Sequence, residues 1–197
     1  MREVTDVMEA CIGWSAMFER NINKFVNALK KIHGFKSLTE SDQHLLIKYG
    51  SIELFLLRLT QVYNVEEEYI ALENDEDNSL QMKLQVLASY QLDAFNHYKS
   101  YIQTISMEWN GDHIVLHLLS AIIIFNSERP NIQQPELIKL QQYIYMHLLK
   151  RYFYMRYQSE SEAKVRLLRL MDSLHKIRLL SDIHATNYYV HRPTHVG

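Results

Sequence analysis

Cysteine occurs once in the chain, at Cys11. No internal disulfide can form, and no multi-thiolate zinc module can be built. Glycine and proline are scarce, at 5 and 3 of 197 residues, which argues against a sheet protein with many tight turns. Charge of one sign is also missing. A net charge of −2 leaves no broad basic surface for DNA or an anionic membrane. The most apolar segment, residues 114–125, is too short to span a bilayer. The opening "MREVTDVMEAC" carries no signal-peptide pattern. There is no nucleophile elbow, phosphate loop or paired-carboxylate motif, so the sequence points away from an enzyme.

What is present is helical periodicity. Across residues 7–33, apolar side chains recur at spacings of three and four, predicting one long amphipathic helix that stops at Gly34. Thr39 is an expected N-cap, with Asp42 as a capping-box-like partner, for a helix running to about Val62. Residues 63–79 read as acidic and irregular, with "EYIAL" as a short strand and "ENDEDN" as an exposed turn. A second long helix is expected over 80–107, broken by "WNGD" (109–112). A helix apolar nearly all round follows, at 112–125. After the loop "NSERPN", Pro135 suits the first turn of a helix over 135–157, and a last helix spans about 162–190. No internal repeat or interdomain linker interrupts this single domain.

Burial dictates the arrangement. Helices apolar on every side need cover on both faces, whereas amphipathic ones need it on one. Placing residues 45–62 and 114–125 in a middle layer between amphipathic helices gives an all-α, three-layer antiparallel sandwich, with room for a short β segment near residues 65–72.

Two charges then stand out in "SIELFLLR" (51–58): Glu53 and Arg58 lie inside an apolar helix. An unpaired ion in a dry layer costs several kcal/mol, so each needs a partner or water. At about 100° per residue the two point in different directions and do not satisfy each other. Arg129 and Arg178 are candidate partners for Glu53. Arg58 calls for an anion, a carbonyl, water or the polar group of a ligand. The bland alternative is that both sit at a helix edge in solvent.

"GFKSLTESDQHLLIKYGSIELFLLR" (34–58) resembles the signature segment of nuclear-receptor ligand-binding domains. "LLSAIIIFNSERPNIQQPELIKLQQ" (118–142) is similar to that family's eighth helix, its "DRP"-type loop and its ninth helix. "LHKIRLLSDIHATNYYVHR" (174–192) is similar to its tenth and eleventh helices. Order and spacing fit the branch containing the vitamin D, liver X and ecdysone receptors.

The resemblance implies a function: binding a sterol- or steroid-like ligand, dimerising, and recruiting co-regulator helices in the nucleus. It places Arg58, His184, Met17, Phe18, Asn21 and Phe55 at ligand-binding positions. It places Lys30, Gln43 and Lys48 beside the co-regulator groove, and makes Glu53 and Arg129 a structural ion pair. The implied partners are a retinoid X receptor-type heterodimer partner and co-regulator peptides. DNA is reached only through a DNA-binding domain outside this chain, and no membrane is involved. No cofactor is implied beyond the lipophilic ligand, and the matched segments do not point to haem. By the family pattern, residues 1–197 form one ligand-binding domain lacking the first helix, the last activation helix and the DNA-binding domain. An alternative is a ligand-independent dimerisation and repressor module, its pocket filled by Trp14, Phe18 and Phe55. The i,i+4 histidines of "HIVLH" (His113, His117) and "HRPTH" (His191, His195) have no evident third ligand, so no metal site is expected.

Overall fold

A computed structural model describes residues 2–72, 80–86 and 92–190. Its helices are α1 (Val7–Leu29), α2 (His33–Lys36), α3 (Glu40–Leu59), α4 (Leu92–Trp109), α5 (His113–Ile124), α6 (Pro135–Arg156) and α7 (Glu160–Val190). Four short strands accompany them: β1 (Arg2–Val4), β2 (Tyr63–Asn64), β3 (Tyr69–Leu72) and β4 (Leu80–Lys83).

α3 is the centre of the sandwich. Residues Glu53 to Leu57 are all buried, a run possible only when neighbours cover the helix on several sides. α1 packs on it from one layer, while α5 and α7 pack on it from elsewhere. α5 is the second enclosed helix, buried from Leu119 through Ile124, and α6 lies against it. α4 runs along α7. The three-layer helical arrangement expected from burial is the one observed.

Two expected helices are corrected. The first ends at Leu29, not at Gly34, because Lys30 closes the turn on the carbonyls of Ala28 and Val26. Gly34 lies instead in the short α2, buried against the side chain of Gln141, where a Cβ would collide with that amide. The expected helix over 80–107 begins as a strand. Leu80, Met82 and Leu84 are buried, while Gln81 and Lys83 face outward, a period of two that the apolar stripe obscured. This strand, β4, pairs antiparallel with β3 (Ile70 opposite Met82) and parallel with β1 (Val4 opposite Met82). The sheet order is β1-β4-β3-β2. "EYIAL" thus does contain a strand, whereas "ENDEDN" lies outside the described residues.

The helix joints follow local chemistry. At "WNGD", Asn110 (φ 44°) and Gly111 (φ 73°) adopt the left-handed conformation that reverses the chain after α4. Asp112 then caps α5, accepting from the N–H groups of Ile114 (2.9 Å) and Val115 (3.4 Å). It also accepts from Tyr152 Oη (2.6 Å) and pairs with Arg156, so one carboxylate locks α5 to α6.

Thr39 caps α3 by accepting from Asp42 N at 3.2 Å, as expected. Asp42 does more than complete that turn. Fully buried, its carboxylate accepts from the N–H groups of Gln133 (2.8 Å) and Gln134 (2.9 Å). It thereby ties the start of the central helix to the entrance of α6. Replacing Asp42 with Ala should orphan these two donors and cost about 2–3 kcal/mol in denaturant unfolding. A loss under about 0.5 kcal/mol would show that the tie is not structural.

Candidate functional site

Glu53 projects from the middle of α3 toward the loop that joins α5 to α6. Arg129 in that loop places Nη2 2.7 Å from Glu53 Oε2, with the two side chains 8% and 7% exposed. The contact is close but lies off the hydrogen-bond direction, and Arg129 Nε has no hydrogen-bond partner among the described residues. Arg178, the other candidate, donates instead to Glu128 at 3.0 Å. That bond is the main reason its pKa is raised, with smaller contributions from the charges of Glu128 and Glu53. A cavity of about 170 Å³ adjoins the pair, lined by Glu53, Asn126, Gln142, His175 and Arg178 among others.

Arg58 lies five residues further along α3, rotated by about 140°. It faces a different space, a half-open cavity of about 290 Å³. α1 contributes Met17, Asn21 and Lys24, a single face at i, i+4 and i+7. α3 contributes Phe55, Arg58 and Leu59, and the turn after it adds Gln61 and Val62. Asn21 Nδ2 donates to Met17 O at 2.9 Å, which fixes its rotamer. Arg58 Nη1 donates to Gln61 Oε1 at 3.3 Å, and Gln61 Nε2 lies 3.4 Å from His113 Nδ1. Burial lowers the pKa of Arg58. His117 is lowered too, by burial first and then by the positive charges of Arg58 and His113.

Of the six residues matched to ligand positions, four therefore line one cavity: Met17, Asn21, Phe55 and Arg58. The other two belong to an aromatic cluster behind it. Phe18 packs edge-on against Phe55, with ring centroids 5.2 Å apart. Trp14 meets Phe55 at 5.1 Å and stacks on His184 at 6.4 Å. His184 Nε2 is hydrogen-bonded to the Oη of fully buried Tyr98, and burial lowers its pKa. Phe55 is the shared wall, one face on the cavity and one on the cluster. Lys24, Gln61, Val62 and Tyr98 were not singled out from the sequence. Lys24 was recoverable by extending the Met17–Asn21 face one turn. Tyr98 carried no signal beyond its helical spacing.

The residues matched to the co-regulator groove are held as follows. Lys30 is exposed at the C-cap of α1, and Lys48 is exposed on α3 with Nζ 5.3 Å from the Tyr49 ring centre. Gln43 Nε2 donates to Leu38 O at 3.0 Å, tying the first turn of α3 to the preceding loop. His113 and His117 are both exposed, and among the described residues no group of three or more potential metal ligands comes together. His191 and His195 lie outside the described residues. No described helix is long and apolar enough to cross a membrane.

Two measurements test this geometry. Glu53→Gln leaves Arg129 buried without a counter-charge and should cost about 3 kcal/mol in unfolding. A double variant with apolar residues at both positions should recover much of that loss. A neutral Glu53→Gln would contradict burial of the pair. His184 has a depressed folded pKa, so the stability it contributes is present above its ordinary value of 6.5 and is lost as pH falls through the folded value. Unfolding of His184→Gln followed from pH 7 to pH 5 should show a shallower acid loss than the parent chain. Equal slopes would show that His184 is solvated.

Known proteins resemble the chain along most of its length. Residues 12–190 match the family model described as the ligand-binding domain of nuclear hormone receptor. The chain is 24% identical over 169 residues to nuclear hormone receptor HR96 of Drosophila melanogaster, covering 86% of this chain and 22% of that protein. It is 26% identical over 161 residues to the ecdysone receptor of Chironomus tentans (82% and 29%). It is 25% identical over 159 residues to the ecdysone receptor of Heliothis virescens (81% and 27%). The chain thus spans under a third of the length of these curated relatives. With a family match over nearly all its described helices, and the helical sandwich that match requires, the chain belongs to the nuclear hormone receptor ligand-binding domain family.

Proposed function

We propose that this domain senses a lipophilic ligand in a nuclear transcription regulator, binding it in the cavity between α1 and α3 with Arg58 as the polar anchor. The observation that carries this reading is the cavity itself. About 290 Å³ of space lies beside a partly buried guanidinium, walled by the apolar Met17, Phe55, Leu59 and Val62 and by the polar Asn21, Lys24 and Gln61. Ligand cavities run from about 300 Å³ upward, mostly apolar with a few fixed polar groups. A sterol- or steroid-like body would extend from this space past the Phe55 wall. Ligand binding would act by shifting populations of states rather than by catalysis.

The same reading assigns the outer elements. Lys30 and Lys48 would hold the ends of an amphipathic co-regulator helix, each lysine favouring its helix-terminal carbonyls. A retinoid X receptor-type partner would dock on α7, with the Glu53–Arg129 pair keeping the α5–α6 loop in shape beside it. One observation favours the alternative, a filled sandwich that dimerises and represses. Trp14, Phe18, Phe55, Tyr98 and His184 occupy the interior behind the cavity with rings in mutual contact.

Native mass spectrometry after incubation with a lipid extract separates the two readings. Sensing predicts a retained ligand and a thermal upshift. Arg58→Leu should keep the fold and weaken ligand retention by roughly tenfold or more, the worth of a charge-assisted hydrogen bond. No retained ligand would leave the repressor reading in place, and unchanged retention in Arg58→Leu would overturn Arg58 as the anchor.

A further inference from the structure

Resting on the reading of α7 as a docking surface, we infer that α7 also pairs with α7 of a second copy of this chain, in an antiparallel seam whose register Asp172 and His175 set. α7 carries two stripes. Ala163, Leu170, Ser173, Ile177 and Leu180 are buried, on the side that meets the rest of the domain. On the other side Val165, Leu168, Asp172, His175 and Leu179 recur at intervals of three, four, three and four. That is the seven-residue pattern of a helix-pairing seam. At about 100° per residue the five fall within one sector of the helix. All five are exposed, Leu168 by 69%.

The occupant follows from the order of the side chains. Laid parallel, two copies of the stripe would set Asp172 against Asp172 and His175 against His175. The first of these is a like-charge contact, which is costly at an interface. Reversed about a two-fold axis between Ser173 and Leu174, each Asp172 meets His175 of the other copy, and each Leu168 meets Leu179 of the other copy. The stripe is therefore its own complement, apolar against apolar and carboxylate against imidazole. A polar residue within such a seam fixes its register. Asp172 is free enough to take the role, since its ion pair with Lys176, at 3.4 Å one turn on, leaves the carboxylate 62% exposed. His175 stands at the rim of the cavity beside Glu53, with Arg178 on the same helix. Flanking Leu168, Leu167 and Met171 line a cavity of about 190 Å³ with Met146 of α6, which gives Leu179 of the second copy further apolar surface to cover. One surface cannot hold two occupants, so self-pairing sets a threshold that any other α7 partner must exceed.

Sedimentation velocity over a concentration series reads the pairing directly. The parent chain should dimerise in the micromolar range, as suits a seam smaller than a standard interface. Leu168→Glu should weaken the dimer by roughly tenfold or more. His175→Asp sets carboxylate against carboxylate and should weaken it by about as much. Combining Asp172→His with His175→Asp exchanges the two side chains across the seam and should return the dissociation constant to within about threefold of the parent. These positions are exposed, so the variants should fold, as circular dichroism would verify. A monomeric parent, a dimer indifferent to Leu168→Glu, or a double variant as weak as His175→Asp would each overturn the self-pairing. Adding the ligand-binding domain of a retinoid X receptor separates that failure from failure of the docking reading. Its uptake by the parent but not by Leu168→Glu keeps α7 as a docking surface, and a monomeric parent that takes up none overturns both.

Discussion

An ion in the dry middle of a helical sandwich fixes whatever stands opposite it. Glu53 is such an ion, at the start of a run of buried residues that continues to Leu57. Its partner Arg129 comes from the α5–α6 loop, 76 positions further along the sequence (129 − 53). That loop can occupy only one place if the carboxylate is to stay paired. Asp42 repeats the device at the start of α3, holding the N–H groups of Gln133 and Gln134 as the same connection enters α6. Two buried carboxylates on one helix thus set the path of a loop that has no regular structure of its own. Apolar contact alone would not, because it is non-directional.

Arg58 shares the helix and has the opposite circumstance. The fold provides Glu53 with a cation and provides Arg58 with an amide. Among the described residues Arg129 and Arg166 face carboxylates, whereas Arg58 faces that amide at the edge of a cavity. Phe55, three residues before Arg58, is the mechanical link. It forms one wall of the cavity and is also the ring on which Trp14 and Phe18 rest. Through Trp14 the contact reaches His184 on α7 and Tyr98 on α4. The cavity wall is therefore joined to four helices, α1, α3, α4 and α7, through one aromatic cluster.

Much of this was legible in the sequence, and for identifiable reasons. Glu53 and Arg58 announced themselves because charge in an all-round apolar helix is costly and therefore informative. Periodicity located α1, α3, α5, α6 and α7, since each presents several turns of consistent spacing. It failed at 80–84, where three alternating apolar residues fit a strand and the start of a helix equally well. Pairing with β3 and β1 decided the matter, and such long-range contacts leave no local trace. His184 was matched to a ligand position, yet its ring nitrogen is engaged by Tyr98, a partner 86 positions away that no spacing rule could nominate. Asp42 was read as part of a local cap, and its bonds to Gln133 and Gln134 were invisible for the same reason.

The central claim is that one helix carries two charges in opposite states, one satisfied by the fold and one held open. Arginine-detected NMR reads this directly through the solvent exchange of each guanidinium Nε–H in the ligand-free domain. The account predicts slow exchange for Arg129, enclosed with Glu53, and fast exchange for Arg58 at the half-open cavity, slowing when a lipophilic ligand retained from a lipid extract is added. Equal protection of both arginines in the free domain, or an Arg58 signal indifferent to added ligand, would contradict it.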